Sequence, residues 1–598
     1  MQLGCSINTH VELSLQLFSL RRSINLYLFK IIIKGFRRLE QLEMRFKEGL
    51  NVLVGPNNAG KTAVIDALRV LLSTGEDGAL RLTVDDLHVD KTGVRADEAS
   101  FEYVFRGLSV DDEADFLTAL RPFKGAAGTE YEAHLSVRCS SADMGGRLRI
   151  KRWCGSHEEN AVTTEMLEDL RAVYLQPLRD PAQGLRPSRT SQLARLVRRL
   201  SDPVTQKEVV DALDALDKDL QKTKPIADTA TAITKRHDDM LGEVLRQQLA
   251  LSLSPGDFQR VAARLSLAVE SFDVEQNGLG FNNLIYMAVV LSELSLSKEA
   301  AYCALIVEEP EAHLHPQLQA VLLDYLGSVQ TPAAGEKPVQ VFVTSHSPNF
   351  ASLANIDAIG CVYHTANGPA AFFPREVAFD KTKKEKLQRY LNVTRAEIFF
   401  ARRIVFVEGA AELFLFEAFA TKHKVNLKKH AVSVISTEGL NFDAFLPLFG
   451  KGKLEIPVVV LTDSDPTNCY PQPEDVVEKS GAAKGIAALE DEFVKPFFAQ
   501  KTLEYDIAFD ATSRATMLKA LAELHPIISK ELEAEVLAAD EKERARVLFK
   551  GMFERGEGKT KVQKGAFAQS LAQAVISDGC DIVVPGYIVK ALEFVMAE

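Results

Sequence analysis

Short apolar runs recur along the chain, and several end abruptly in glycine, glutamine or acid. Leu28–Lys34 reads as an opening strand, Gly35-Phe36-Arg37 as a turn, and Leu42–Phe46 as its partner. Leu50–Val54 predicts a short buried strand, followed at once by a glycine-rich loop and a helix over Ala63–Leu72. Phe101–Phe105, Tyr131–Cys139 and Leu148–Trp153 predict antiparallel strands, and Ala172–Leu175 a further strand ending at Gln176. From Ser191 to Leu253 the period becomes helical: Leu193, Leu196, Val197 and Leu200 repeat at that spacing, as do Val210, Leu213, Leu216 and Leu220. Tyr302–Val307 and Val339–Val343 return to buried strands. Residues 376–395 are charged and helical, and the pattern puts a domain junction there. Beyond it Ile404–Val407, Val432–Ile435, Val458–Leu461 and Thr502–Ile507 predict the strands of a second α/β domain, with a helix-rich last third.

Composition changes this picture little. A chain of 598 residues exceeds what one hydrophobic core organises, so several domains are expected. The net charge of −12 argues against coating nucleic acid by bulk charge, while leaving room for a local basic groove. Seven cysteines without a CxxC pair fit a reduced cytoplasm and give no zinc or disulfide framework. No apolar run reaches the length of a membrane span. In residues 1–26 the mildly apolar Ser14–Leu20 precedes Arg21-Arg22, the reverse of a secretory signal, so this stretch is expected to be either an overextended, misassigned start or a loosely ordered leader, with the domain beginning near Tyr27.

Gly55-Pro56-Asn57-Asn58-Ala59-Gly60-Lys61-Thr62 follows a predicted strand and opens a helix, the context in which GxxxxGK[ST] cradles phosphates. Gly55, Asn57, Asn58 and Gly60 are expected to wrap the phosphates of ATP, with Lys61 on the β- and γ-phosphates and Thr62 on the metal. Leu305–Val307 ends in Glu308-Glu309: Glu308 would hold Mg²⁺ (or Mn²⁺ or Ca²⁺) and Glu309 would polarise the attacking water. His346, after strand Val339–Val343, reads either as a γ-phosphate sensor or as a packed histidine. Gln176 would reach the Mg²⁺ shell. Gly278 and Gly280 precede a helix and make either an anion-binding end or a simple cap.

This order of P-loop, long helical insertion, glycine-rich segment, Glu-Glu-Pro-Glu-Ala-His-Leu-His-Pro and Thr-Ser-His-Ser-Pro resembles the ABC-type ATPase head of the RecF/SMC class. The resemblance implies that ATP is held between two heads, the Gly278–Asn283 segment of one copy facing the P-loop of the other. The segment departs from the usual Leu-Ser-Gly-Gly-Gln.

A second acidic signature follows. Val405–Val407 ends in Glu408-Gly409-Ala410-Ala411-Glu412, and Val458–Leu461 leads to Thr462-Asp463-Ser464-Asp465. Carboxylates converging at the ends of buried parallel strands repel one another unless hard divalent cations neutralise them. Such a cluster suits phosphodiester chemistry by a metal pair. Glu408, Glu412, Asp463 and Asp465 are the candidate ligands. Arg195, Arg198, Arg199, Arg402, Arg403, Lys559 and Lys561 are candidates for DNA phosphate contacts, though a solvated helix face explains each of them individually.

The second signature resembles the TOPRIM domain, and an ABC head followed by TOPRIM resembles the OLD (overcoming lysogenisation defect) nucleases, including the Gabija nuclease subunit. The resemblance implies an α/β chain: a RecF/SMC-like ATPase in two parts (27–190 and 254–390), a helical dimerisation insertion (191–253), and a Rossmann-like TOPRIM domain with helical additions (400–598). It also implies two divalent metals, Mg²⁺ or Mn²⁺, at the TOPRIM site, with Glu504 as a further ligand, Ser464 as an added one, and Lys564 as the catalytic lysine, for which Lys559 and Lys561 compete. DNA as substrate, a homodimer, and in some relatives a helicase-like partner complete the expectation. Phage defence or DNA processing is the implied role. Two other readings stand beside it: an ATP-driven repair clamp with a non-catalytic acidic domain, and a topoisomerase- or primase-like enzyme, for which Tyr505 is a poor nucleophile.

Overall fold

The computed structural model describes residues 25–73, 80–125, 128–140, 142–177, 184–245, 247–252, 257–269, 272–273, 276–297, 299–466, 469–556, 560–577 and 581–597. The expected leader therefore lies almost wholly outside the described residues, as does Lys559. Three large sheets organise the rest, beside a two-stranded ribbon of Ala268–Val269 and Phe272–Asp273. An antiparallel sheet runs Leu39–Arg45, Tyr27–Phe36, Glu98–Arg106, Thr129–Ser140, Leu120–Lys124, with Arg149–Cys154 also on Thr129–Ser140. A second sheet runs Gly368–Phe372, Ile359–Thr365, Leu50–Val54, Gln340–Thr344, Tyr302–Glu308, Leu170–Leu175; it is parallel except for its first hairpin. The third is wholly parallel, in the order Val432–Ser436, Arg403–Val407, Val458–Asp463, Val494–Ala499.

Strand alternation distributes side chains between the layers. Leu53 joins the core shared with the antiparallel sheet and the helix Lys61–Leu72, whereas Val52 and Val54 face the opposite side. Gln340 pins the first two sheets together: its side chain accepts from Leu28 N and donates to Leu28 O, at 2.9 and 3.0 Å. The core on the far side of the second sheet continues through Ala396, Ile398 and Phe399 into Ile404, Phe406, Val458 and Val460 of the third. The charged segment expected as a junction is thus a packed helix, Lys381–Tyr390, with Leu387 fully buried. Val405, Val407 and Val459 face the third core, built with the C-terminal helices.

Two expectations need correction. Thr502–Ile507 is not a strand. Leu503–Ile507 is a short helix, N-capped by the Thr502 hydroxyl accepting from Tyr505 N, with Glu504 and Asp506 in its first turn. The alternation of Leu503, Tyr505 and Ile507 suggests a strand, but Glu504 between them is equally buried, so no polar face exists to define a period. The fourth strand is Val494–Ala499, whose Pro496 is tolerated because it lies at the sheet edge. Among the described residues the helical block comprises Gln192–Leu200, Pro203–Gln221 and Lys224–Leu245, the last broken at Gly242, whose φ is 71°; residues 247–252 are not helical. None of the residues of Pro203–Gln221 is buried, and Leu216, Ile233 and Met240 are exposed. No described helix is long and apolar enough to cross a membrane.

Candidate functional site

The first site forms where Leu50–Val54 turns into the helix Lys61–Leu72. Gly55 and Gly60 have φ of 143° and 107°, and a Cβ on Gly55 would stand 2.0 Å from the Val362 carbonyl oxygen, so the loop is built for glycine. Asn58 also takes a left-handed φ, 66°. Lys61 Nζ donates to Gly55 O and Pro56 O at 2.6 and 2.9 Å. Burial lowers its pKa to about 8, against the opposing pull of Glu309 and Glu311. Thr62 Oγ1 donates to Glu308 Oε2 at 3.1 Å, and the Tyr174 hydroxyl donates to Glu308 Oε1 at 2.6 Å. Glu308 is buried, which raises its pKa; the two hydrogen bonds oppose that rise. Hydroxyl and carboxylate thus already face each other where a phosphate-bound cation would sit, and the oxygen donors are of the kind Mg²⁺ takes.

Glu309 sits at a left-handed φ of 48°, with its carboxylate 3.6 Å from His346 Nε2. His346 is depressed in pKa by burial and by Lys61. A cavity of about 700 Å³ brings Asn57, Asn58, Gly60, Lys61, Thr62, Glu309 and His346 together. Gln176 follows Leu175, which pairs with Val307, so its backbone stands level with Glu308. Gly278 and Gly280 line no part of this cavity. Gly280 is needed for packing, since its Cβ would meet His313 O at 2.7 Å, whereas Gly278 has open space around it. Leu279 and Phe281 beside them are 52% and 54% exposed.

The second site lies at the carboxyl ends of the third sheet. Thr462 Oγ1 and Asp463 N both donate to Glu408 Oε1, at 2.5 and 3.1 Å, binding the two strand ends together. Glu412 Oε2 accepts from Gly409 N at 2.9 Å in the first turn of Ala410–Lys422. That helix packs on Lys564–Ile576, which brings Lys564 to the same end. Lys564 Nζ donates to Glu504 Oε2 at 3.0 Å, as does Thr502 Oγ1 at 3.0 Å. Burial raises the Asp463 carboxyl well above its usual range, and repulsion from Glu408, Glu504 and Glu412 adds to it. Glu412 is raised by burial and then by Glu504 and Glu408. Burial pulls Lys564 down, but Glu504 and Asp463 outweigh it and raise its pKa.

The structure therefore gathers Glu408, Glu412, Asp463, Glu504 and Lys564. Asp465 is exposed, at a φ of 45°, and is not among the charges that act on Asp463. Ser464 is turned away from the site, its hydroxyl donating to Ala499 O. Tyr505 is fully buried with its hydroxyl on Pro471 O, which removes it as a nucleophile. Lys561 is exposed. Among the proposed phosphate contacts, Arg195 is buried and Arg199 donates to fully buried Glu293, as does Arg171, so the first two serve the interior. Arg402 and Arg403 stand at the opposite end of their strand from Glu408. Sequence reasoning missed Tyr174 and Thr462. Each is a hydroxyl beside a residue it did single out, Gln176 and Asp463.

The residues fit a divalent cation. Glu504 Oε1 is buried without a hydrogen-bond partner, beside three other carboxylates and one lysine. Among the described residues no three His, Cys, Asp or Glu side chains form a ready-made three-ligand metal site. Mg²⁺ does not need one, because it is held by one or two carboxylates and keeps water and substrate phosphate as its other ligands.

Comparison with known proteins agrees with this division. An AAA ATPase domain model matches residues 27–113 and 161–351, and a TOPRIM domain model of the overcoming lysogenization defect protein-like type matches 399–465. An OLD nuclease of Thermus scotoductus is 26% identical over 455 residues, covering 73% of this chain and 81% of that protein. Endonuclease GajA of Bacillus cereus strain VD045 is 20% identical over 446 residues, covering 73% and 74%. The solved C-terminal region of the Burkholderia pseudomallei OLD protein is 26% identical, covers 33% of this chain and 97% of its own, and superposes with a TM-score of 0.23. Domains of these two kinds use a nucleotide and a divalent metal. The chain thus carries an AAA ATPase domain followed by an OLD-like TOPRIM domain, and it is similar to OLD nucleases over most of its length.

Proposed function

We propose that the chain is an ATP-regulated DNA nuclease that hydrolyses phosphodiester bonds at the TOPRIM site with Mg²⁺ or Mn²⁺. The observation that carries the reading is the convergence of Glu408, Glu412, Asp463 and Glu504 around a single lysine at one end of a parallel sheet. Divalent metal bound there supplies an acidified water and charge neutralisation on the phosphate. Glu408 is fixed for that role by Thr462 and by the Asp463 backbone, so its free oxygen has one orientation. Lys564 carries a full positive charge and is tethered by Glu504, from which it reaches the scissile phosphate and balances its developing charge.

At the first site Lys61 exchanges its two carbonyl partners for nucleotide phosphates, Thr62 and Glu308 hold the metal of ATP, and Glu309 orients the attacking water with His346 beside the γ-phosphate. Two copies act together. Gly278, Gly280 and the exposed Leu279 and Phe281 face the partner's nucleotide, and the uncovered apolar residues of the helices 203–245 pack against their counterparts. Phage defence or DNA processing, in some settings with a helicase-like partner, is the physiological role that fits a nuclease under nucleotide control. Incubating the purified protein with supercoiled and linear DNA, Mg²⁺ or Mn²⁺, with and without ATP, tests the reading. Metal-dependent nicking that ATP modulates is expected, and intact DNA under every condition overturns it.

A further inference from the structure

A cavity of about 580 Å³ lies in the seam between the two catalytic units, bounded on one side by Pro56 of the P-loop and on the other by the amino ends of the third sheet's strands. It is separate from the ATP cavity, with which it shares no lining residue, and it opens at the opposite end of the sheet from Glu408 and Asp463. Its walls carry Arg402, Arg403, Lys429 and His430 against one acid, Glu492. Arg403 donates to Ala597 O, but among the described residues neither Arg402 nor Lys429 has an ion-pair partner. His364 also lines it, with Nε2 buried and unpartnered and its ring against the Asn57 backbone. Phe493 and Phe594 add aromatic surface beside these cations.

Clustered cations that outnumber the one acid beside them, in a protein whose net charge is −12, make a site for an anion. Arginine and lysine favour phosphate, and flat aromatic surface next to them favours a ring attached to that phosphate. The volume is that of a small-molecule site and is too small for a duplex. We propose that this seam is a second nucleotide site, taking a free nucleoside di- or triphosphate with its phosphates on Arg402 and Lys429 and its base against Phe493 and Phe594. The P-loop would feel its occupancy directly, since Pro56 walls the cavity and Pro56 O is one of the two carbonyls that hold Lys61. The inference does not depend on the nuclease reading.

Calorimetric titration of the full chain with ADP tests it. Wild type is expected to take two ADP per chain and Lys61→Ala one. Adding Arg402→Glu and Lys429→Glu to Lys61→Ala should weaken the remaining site about tenfold or more, the scale of a lost charge-assisted contact. A melting curve like that of Lys61→Ala establishes that this variant is folded, and Arg402→Gln alone carries the test if it is not. Phe493→Ala should weaken ADP but leave pyrophosphate unchanged. A single ADP in wild type, or a residual site indifferent to the charge reversals, overturns the proposal. So does pyrophosphate bound as tightly as ADP, or a single-stranded oligonucleotide that displaces ADP and binds more tightly.

Discussion

Lys564 and Glu504 lie sixty residues apart in sequence and are joined by a 3.0 Å hydrogen bond in which the carboxylate is fully buried and the ammonium is 45% exposed. The buried partner fixes the position and the exposed one reaches outward. A lysine held this way can meet a substrate without first paying to be ordered. Lys564→Ala should therefore lower DNA nicking by roughly a hundredfold or more, the scale of a lost transition-state donor, while metal still raises the melting temperature. Nicking near the wild-type rate by folded Lys564→Ala would remove the lysine from the mechanism.

Thr462 offers a finer probe. Its hydroxyl and the Asp463 N–H share one oxygen of Glu408. Thr462→Val keeps the shape and deletes one charge-assisted bond, worth about 1.5–3 kcal/mol. Nicking should fall about tenfold or more, with ATP hydrolysis unchanged. Glu408→Ala or Asp463→Ala should abolish nicking altogether. Loss of both activities on one preparation would point to misfolding instead.

At the ATPase site, Glu309→Gln should bind ATP and hydrolyse it roughly a hundredfold or more slowly, the usual contribution of a positioned base. Filter binding and phosphate release on the same sample separate the two effects. Hydrolysis at the wild-type rate would reassign the water-polarising role.

Lys61 gives a pH dependence with a definite sign. Burial sets its pKa at about 8 in the nucleotide-free protein. Below that pH the ammonium is already charged when phosphate arrives; above it, binding must take up a proton. ADP affinity without added metal should thus weaken as pH rises through 8. Titrations at pH 8.5 in buffers of different ionisation enthalpy should show proton uptake that Lys61→Met lacks.

Assembly is checked by light scattering. A dimer is expected, and Leu279→Lys with Phe281→Lys should weaken its dependence on ATP, because both side chains stand exposed beside Gly280. A monomer at micromolar concentration with and without ATP would count against a composite site.

Much of this was legible in the sequence because glycine loops and strand-end carboxylates are local signals. Gly55 to Thr62 and Glu408 to Glu412 each lie within a single strand–turn–helix unit. Glu504 and Lys564 had no such unit, and family resemblance alone pointed to them; the structure joins them through helix packing that periodicity cannot encode. Asp465 looked equivalent to Asp463 two residues away, yet the left-handed backbone at Asp465 breaks the alternation that would put both on one side. Arg195 and Arg199 looked like solvated helix residues, because Glu293, the buried acid that pairs with Arg199, lies far off in the chain. Val494–Ala499 was hidden by a proline that only an edge position permits.

The core that runs unbroken from the second sheet into the third has a mechanical consequence. Arg403–Val407 is an interior strand, starting at the seam behind the P-loop and ending at Glu408. At about 3.3 Å per residue it spans roughly 17 Å. Close-packed interiors have low compressibility and transmit strain, so this strand is a stiff connection between the P-loop seam and the end that carries Glu408. Whatever shifts Arg403 at the seam is thereby brought to bear on the strand end that places Glu408, where a misplacement of about 1 Å is enough to cost a reaction about a hundredfold.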